Sequence, residues 1–196
     1  MPKRNTLVAY VAIALVCAEL VLTLLSWSLV ATQTEGVRSL LSSEGLRWFF
    51  GQYSEVIIRP ELIWLILASM AVGVFWHSDI IGRNGRNYRR PFALRVSFVV
   101  CVFLLLIGML LVILPHAVLL SSTGQLWPSP FSRALVPLLS LLTIITSSIY
   151  GLACRNFTTL VDIISSIIWG IEKAASLILI YILALHLYES LCYVFL

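Results

Sequence analysis

The fold is decided by the first apolar run, from Leu7 to Ala31, which reads LVAYVAIALVCAELVLTLLSWSLVA. About 20 consecutive apolar residues are enough to carry a helix across the hydrocarbon core of a bilayer. This run exceeds that length and contains a single charge, Glu19. A cleaved signal peptide has a core of roughly 7–15 apolar residues, so we expect this run to remain as a membrane anchor.

Four more apolar runs follow the first. Together they predict transmembrane helices at about residues 7–31, 62–78, 96–120, 134–154 and 174–196. None of the runs alternates apolar and polar residues as a strand would. The sequence therefore predicts an all-α, polytopic membrane protein with about five transmembrane helices, forming a single membrane domain over residues 1–196.

The composition supports the same fold class. Of the 196 residues, 60% are apolar and 11% are charged, and the mean hydropathy is +1.01. Soluble domains are about 45–50% apolar and roughly 25% charged. A soluble enzyme, a nucleic-acid-binding protein and a disordered chain are therefore disfavoured, and the first partner that we expect is the lipid bilayer.

Two segments outside the spans are too apolar to be free loops. On the outer side, a short helix is predicted to begin at Ser43 and to end in aromatic residues that suit the membrane interface. On the inner side, polar residues recur at helical spacing over residues 157–171. This pattern predicts an amphipathic helix lying along the inner membrane surface, with Asn156 as its N-cap.

The orientation follows from the basic residues of the short loops, which are retained on the cytoplasmic side. With the N-terminus inside, nine basic residues fall inside, namely Lys3, Arg4, Arg83, Arg86, Arg89, Arg90, Arg95, Arg155 and Lys173. Four fall outside, namely Arg38, Arg47, Arg59 and Arg133. The count predicts an N-terminus inside and a C-terminus outside.

Three ionisable residues inside the spans are the candidate functional groups. Glu19 lies in the middle of the first span, and His186 lies near the middle of the last, with Glu189 one helical turn further on. A charge at this depth costs about 2.5–3.5 kcal/mol on insertion scales, so it needs a partner, a proton or water. If the two helices pack together, Glu19 and His186 can share a proton. They then form either a proton- or cation-coupled site or a purely structural contact between the helices, in which a protonated Glu19 is hydrogen-bonded.

The loop after the second span carries four arginines, Arg83, Arg86, Arg89 and Arg90. They suit an anionic-lipid site, and they also suffice to fix the topology. The four cysteines are widely separated, and the sequence shows no nucleophile set, zinc set or dinucleotide-binding pattern. We therefore predict no enzyme activity, no metal and no cofactor.

Two blocks of the chain resemble the AbgT family of p-aminobenzoyl-glutamate transporters. The first block contains LLSSEGLRW at residues 40–48, Gly73-Val74, and SDII at residues 78–81. The second contains Tyr150-Gly151, then Asp162 on an amphipathic helix, then a long apolar helix. Family members are more than twice this length and carry paired re-entrant hairpins with the substrate-binding residues. Residues 95–133 show no such hairpins, so the chain is similar to a shortened member that lacks the hairpin transport core.

The resemblance implies a protein of the bacterial inner membrane that takes part in solute or proton-coupled transport. The implied solute is of the p-aminobenzoyl-glutamate type. The alternative is a non-transporting structural or accessory subunit that keeps only the helical scaffold. In either case a homo-oligomer or another membrane protein is the expected protein partner, and no nucleic acid is.

Overall fold

Six α-helices make up the part of the chain that the structure describes. The structure is a computed structural model, and it describes residues 2–32, 36–81, 88–113 and 130–196. The helices are Pro2–Ala31 (α1), Ser43–Ile57 (α2), Pro60–Ser78 (α3), Arg90–Ile113 (α4), Pro130–Ala153 (α5) and Leu160–Phe195 (α6). Proline lies at the first or second position of four of these helices, α1, α3, α4 and α5, where its missing N–H needs no partner.

Five of these helices, α1, α3, α4, α5 and α6, are long and apolar enough to cross a membrane, which confirms the predicted all-helical membrane fold. The short α2 begins at Ser43, the residue from which the sequence predicts it. The third span begins at Arg90 rather than near residue 96, and its predicted end at residue 120 lies outside the described residues.

The buried positions of the described residues hold as many polar as apolar side chains, nine of each. Every buried polar residue among them is a serine, namely Ser26, Ser39, Ser69, Ser78, Ser97, Ser140, Ser147, Ser166 and Ser190. Large apolar side chains instead cover the surface, with Phe98 70% exposed as one example. Lipid tails solvate apolar side chains, so helices in a bilayer associate through small and hydroxyl-bearing residues.

The chain divides into two compact units, and the first comprises residues 1–63 and 175–196. The segment between α1 and α2 ties this unit together by backbone hydrogen bonds. The amide of Arg38 donates to the carbonyl of Val194 at 3.0 Å, and the amide of Leu40 donates to Ser26 Oγ at 3.2 Å. Leu22, Leu40 and Val194 then form a small buried apolar cluster.

The second unit comprises residues 64–174, and within it two glycines bring α3 and α6 into backbone contact. A Cβ added to Gly73 of α3 would lie 2.8 Å from the Cα of Gly170 in α6 and would also collide with the carbonyl oxygen of Ser166. A Cβ added to Gly170 would collide with the carbonyl oxygen of Ser69. The two backbones therefore touch, and any side chain at either glycine would force them apart.

The inner amphipathic segment differs from its prediction. The sequence predicts a helix on the membrane surface over residues 157–171 and a separate span over 174–196, but both belong to the continuous, 36-residue α6. No proline or cap interrupts this helix, which is about 54 Å long, well over the roughly 30 Å of a hydrocarbon core.

The orientation of this segment explains the difference. Ser166 and Gly170 are buried against α3, whereas Val161 and Ile164 are 66% and 55% exposed. The face that carries Ser166 and Gly170 thus packs inward, whereas Ser165 and the apolar side chains Val161 and Ile164 point outward. A sequence pattern typical of a helix at a water interface therefore also arises in a helix that packs on its neighbour inside lipid.

The start of α6 is capped by Asp162 from inside the helix. Its carboxylate accepts hydrogen bonds from the amides of Thr158 and Thr159 at 2.7 and 2.9 Å, and from the Thr158 hydroxyl at 2.8 Å. The predicted cap, Asn156, instead donates its side-chain amide to the carbonyl of Ser78 at 2.7 Å. Asn156 thus links the end of α3 to the turn between α5 and α6.

Candidate functional site

The first unit brings Glu19 of α1 together with His186 and Ser190 of α6. The Ser190 hydroxyl donates to Glu19 Oε1 at 2.6 Å. His186 Nδ1 lies 3.6 Å from the same carboxylate oxygen and 3.5 Å from Ser190 Oγ. His186 and Ser190 are four residues apart, so they lie on one face of α6, and that face packs on the middle of α1. We call these three residues the acid–imidazole cluster.

The cluster is largely shielded from solvent. The side chains of Glu19 and His186 are 19% and 13% exposed. The second carboxylate oxygen, Glu19 Oε2, is buried and has no hydrogen-bond partner among the described residues. The imidazole and the carboxylate are thus close enough to interact electrostatically, while the hydrogen bond to the carboxylate comes from Ser190.

Two aromatic rings of α2 cover the imidazole. The ring centroids of Phe49 and Tyr53 lie 4.7 and 5.2 Å from that of His186. Next to them, Trp48 stacks on Tyr193 with a centroid separation of 4.4 Å. The sequence predicts that this aromatic segment lies at the membrane interface, and it does not predict the contact with His186. Two aromatic residues on one face of a short helix do not indicate which neighbouring helix they contact.

Glu189, the third predicted site residue, has a different partner. Its carboxylate forms an ion pair and a hydrogen bond with the guanidinium of Arg59, just before α3. The two side chains are 20% and 40% exposed. Ser190, rather than Glu189, joins the cluster, although both follow His186 by about one turn. The position of Arg59 at the start of a span, level with the end of α6, is the signal that could have identified this pair.

The arginine-rich loop lies only partly within the described residues. Arg83 and Arg86 fall outside them. Arg89 is exposed, and Arg90 donates from Nη2 to the carbonyl of Ile80 at 3.3 Å. An anionic-lipid site at this loop therefore stays a prediction.

The second unit contains a groove of about 440 Å³ between α3 and α5. Its lining is mostly apolar, with Phe75 and Leu139 among the larger side chains and Ser140 and Thr143 as its hydroxyl groups. The Thr143 hydroxyl donates to the carbonyl of Leu139 in its own helix at 2.8 Å. That hydroxyl is therefore already used within α5.

Disulfides, reactive cysteines and groups of metal ligands are the other kinds of chemical site that the described residues could form. All four cysteines are free, and only Cys154 is buried. Across residues 2–32, 36–81, 88–113 and 130–196, no three His, Cys, Asp or Glu side chains group as metal ligands would. The acid–imidazole cluster is therefore retained as the candidate site.

Comparison with known proteins identifies the family of the chain. A profile of the AbgT putative transporter family matches residues 86–192, which contain α4, α5 and most of α6. No curated protein and no solved structure matches the chain. The matched segment includes the second of the two resembling blocks and residues 95–133, whereas residues 40–48 and 73–81 precede it. Since this match covers more than half of the 196 residues, the chain belongs to the AbgT family and is a multi-pass membrane protein.

Proposed function

We propose that this chain takes part in proton-coupled transport of an anionic solute of the p-aminobenzoyl-glutamate type. In this proposal Glu19, Ser190 and His186 form the proton-binding group. The family supports solute transport, and the acid–imidazole cluster is the observation that supports proton coupling. Ionisable side chains inside membrane-spanning helices are rare and expensive, and they commonly mark ion and proton pathways.

The chemistry of the cluster suits a reversible proton carrier. With one proton, the pair of Glu19 and His186 is neutral overall, whether the proton sits on the carboxylate or makes the imidazole cationic. Without it, the pair carries one negative charge. Ser190 holds Glu19 Oε1 by a hydrogen bond in the described geometry, while Oε2 is left for a proton or a water molecule. A change of water access from one side to the other would then move a proton across the membrane.

Transport into liposomes tests this proposal. We expect purified protein in liposomes to move radiolabelled p-aminobenzoyl-glutamate in response to an imposed pH gradient. Glu19→Gln should abolish the response to the gradient, because the amide cannot ionise. Glu55→Gln is the matched control, since Glu55 is an exposed acid of α2 outside the cluster. An unchanged flux in Glu19→Gln would remove Glu19 from the mechanism and leave it as a purely structural contact between the helices.

The second candidate function is that of a non-transporting structural or accessory subunit. It is favoured by the position of the family match, which begins at residue 86 and so leaves Glu19 outside it. Purification in mild detergent separates the two candidates. A stable complex with a different membrane protein, together with absence of flux, supports the accessory role. A homo-oligomer that moves solute supports transport and excludes that role.

We also propose that the chain resides in a bacterial inner membrane with its N-terminus inside and its C-terminus outside. The support is the distribution of basic residues, nine against four, and the number of candidate spans, which is odd. A tag after Leu196 that is reached by protease only from the periplasmic side agrees with this orientation. A tag that is reached only from the cytosol contradicts it.

A further inference from the structure

The described contacts between α2 and the acid–imidazole cluster are all made by aromatic side chains of α2. Phe49 and Tyr53 are four residues apart, so their rings lie on one face of α2, and both contact His186. On the adjacent face, Trp48 stacks on Tyr193. Two of the three α2 rings that contact α6 therefore meet an ionisable group.

The charge of the cluster decides how favourable this contact is. The faces of aromatic rings carry negative potential and attract cations. They also exclude water, so they raise the cost of an unbalanced charge beneath them. With the shared proton, the pair of Glu19 and His186 is neutral overall and the rings can cover it. Without that proton, a net negative charge faces the rings.

The other ionisable groups near His186 do not change this balance. Glu19 faces it from α1, and Tyr53 faces it from α2. Glu189 follows on α6, and its charge is neutralised by the guanidinium of Arg59. Glu19 and His186 are thus the ionisable pair that the rings of α2 cover.

We propose that α2 is a proton-dependent cover, which docks on the acid–imidazole cluster while the cluster holds its proton and is released when the proton leaves. This deepens the proposed function and rests on it, because a cover that opens on proton loss sets when water can reach a transport site. Proton binding and α2 docking are then coupled, and each favours the other to the same extent.

Trp48 supplies a reporter of docking, since it leaves the ring of Tyr193 when α2 is released. The protein is labelled with 5-fluorotryptophan in lipid nanodiscs, and the Trp48 resonance is identified by its loss in Trp48→Phe. We expect ¹⁹F spectra from pH 5 to pH 8 to show the released population growing about fivefold. His186→Gln should remove this pH dependence, whereas His77→Gln, in the second unit, should leave it intact.

Ring variants test whether the aromatic contact is the coupling element. Phe49→Leu with Tyr53→Leu should release α2 at every pH, whereas Tyr53→Phe, which keeps the ring and loses the phenol, should behave as the original protein does. A Trp48 resonance that is constant from pH 5 to pH 8, or a titration that survives His186→Gln, would overturn the proposal. If the double variant does not fold, the His186→Gln spectra still decide the question.

The two proposals fail in different ways. Flux that depends on Glu19 with a Trp48 signal independent of pH refutes the cover and keeps proton-coupled transport. A Trp48 signal that titrates through His186 in a protein without flux keeps the cover and refutes transport.

Discussion

Within each of the two units, the helices are joined by a different kind of contact. The first unit joins its helices through side chains that carry charge or rings, such as Glu19 with Ser190 and Trp48 with Tyr193. The second unit joins α3 and α6 through the bare backbones of Gly73 and Gly170. A contact made by side-chain chemistry can be altered without moving the helices, whereas a contact made by backbone shape cannot. Single side-chain changes can therefore alter the contact between Glu19 and Ser190 in the first unit, whereas the glycine contact in the second unit allows no added side chain.

The largest effect is expected for Gly73→Ala. The new methyl group would collide with backbone atoms of Ser166 and Gly170, which cannot rotate away as a side chain can. We expect a loss of about 2 kcal/mol of stability, the usual cost of overpacking. The measurement is the apparent melting temperature in mild detergent. Gly108→Ala is the control, because its Cβ would meet no heavy atom within 4 Å and alanine favours a helix. Equal melting temperatures for the two variants would show that the backbone contact between Gly73 and Gly170 does not support the second unit.

A smaller effect is expected for Asp162→Ala at the start of α6. This change removes three hydrogen bonds that cap the helix, which corresponds to about 1 kcal/mol. Hydrogen exchange should rise in the first turn of α6 and not beyond it. Asp162→Asn keeps an acceptor oxygen and should lose less. Exchange that rises as far as Gly170 would show that polar capping, and not only glycine contact, sets the stability of the second unit.

The ion pair of Arg59 and Glu189 should contribute still less to stability. The guanidinium is 40% exposed, and pairs of this exposure are worth about 0.5 kcal/mol. A double-mutant cycle with Arg59→Ala and Glu189→Ala measures this coupling. The exchanged pair, Arg59→Glu with Glu189→Arg, should recover most of it. A coupling free energy as large as the loss of stability in Gly73→Ala would mean that the first unit also depends on a single contact.

The smallest effect on stability, less than about 0.5 kcal/mol, is expected for Glu19→Gln. The amide oxygen can still accept the hydrogen bond from Ser190, so the contact between α1 and α6 is kept. Function and stability should therefore separate at this position, with the response to a pH gradient lost and the melting temperature kept. A variant that melts as early as Gly73→Ala would assign Glu19 to the support of the fold.

The sequence predicts much of the fold because a bilayer imposes a length on every span. The run from Leu7 to Ala31 has to be a helix, since nothing else satisfies its backbone inside lipid. The depths of Glu19 and His186 can be estimated in the same way, by counting residues from the ends of their spans. Their approach depends on α1 packing on α6, which the sequence leaves open and the structure supplies.

The features that the sequence does not reveal depend on the rotation of a helix about its axis. Ser166 and Ile164 indicate an amphipathic helix, but the pattern does not tell whether the polar face meets water or another helix. In this protein it meets α3. The contact of Phe49 and Tyr53 with His186 likewise depends on how α2 is turned, and a short connecting helix can turn in many ways. Residue spacing defines faces, and tertiary packing decides what each face touches.

The serine-lined interior has a consequence for protein engineering. Because the buried polar positions in the described part of the chain are small hydroxyl residues, such as Ser69 and Ser147, the hydrophobic effect that drives folding in water has little apolar surface to act on at these positions. A water-soluble analogue would therefore require polar replacements at exposed apolar residues such as Phe98 and Leu106 and apolar replacements at some of the buried serines, with the paired glycines left unchanged. Such an analogue would present the acid–imidazole cluster to spectroscopy without detergent.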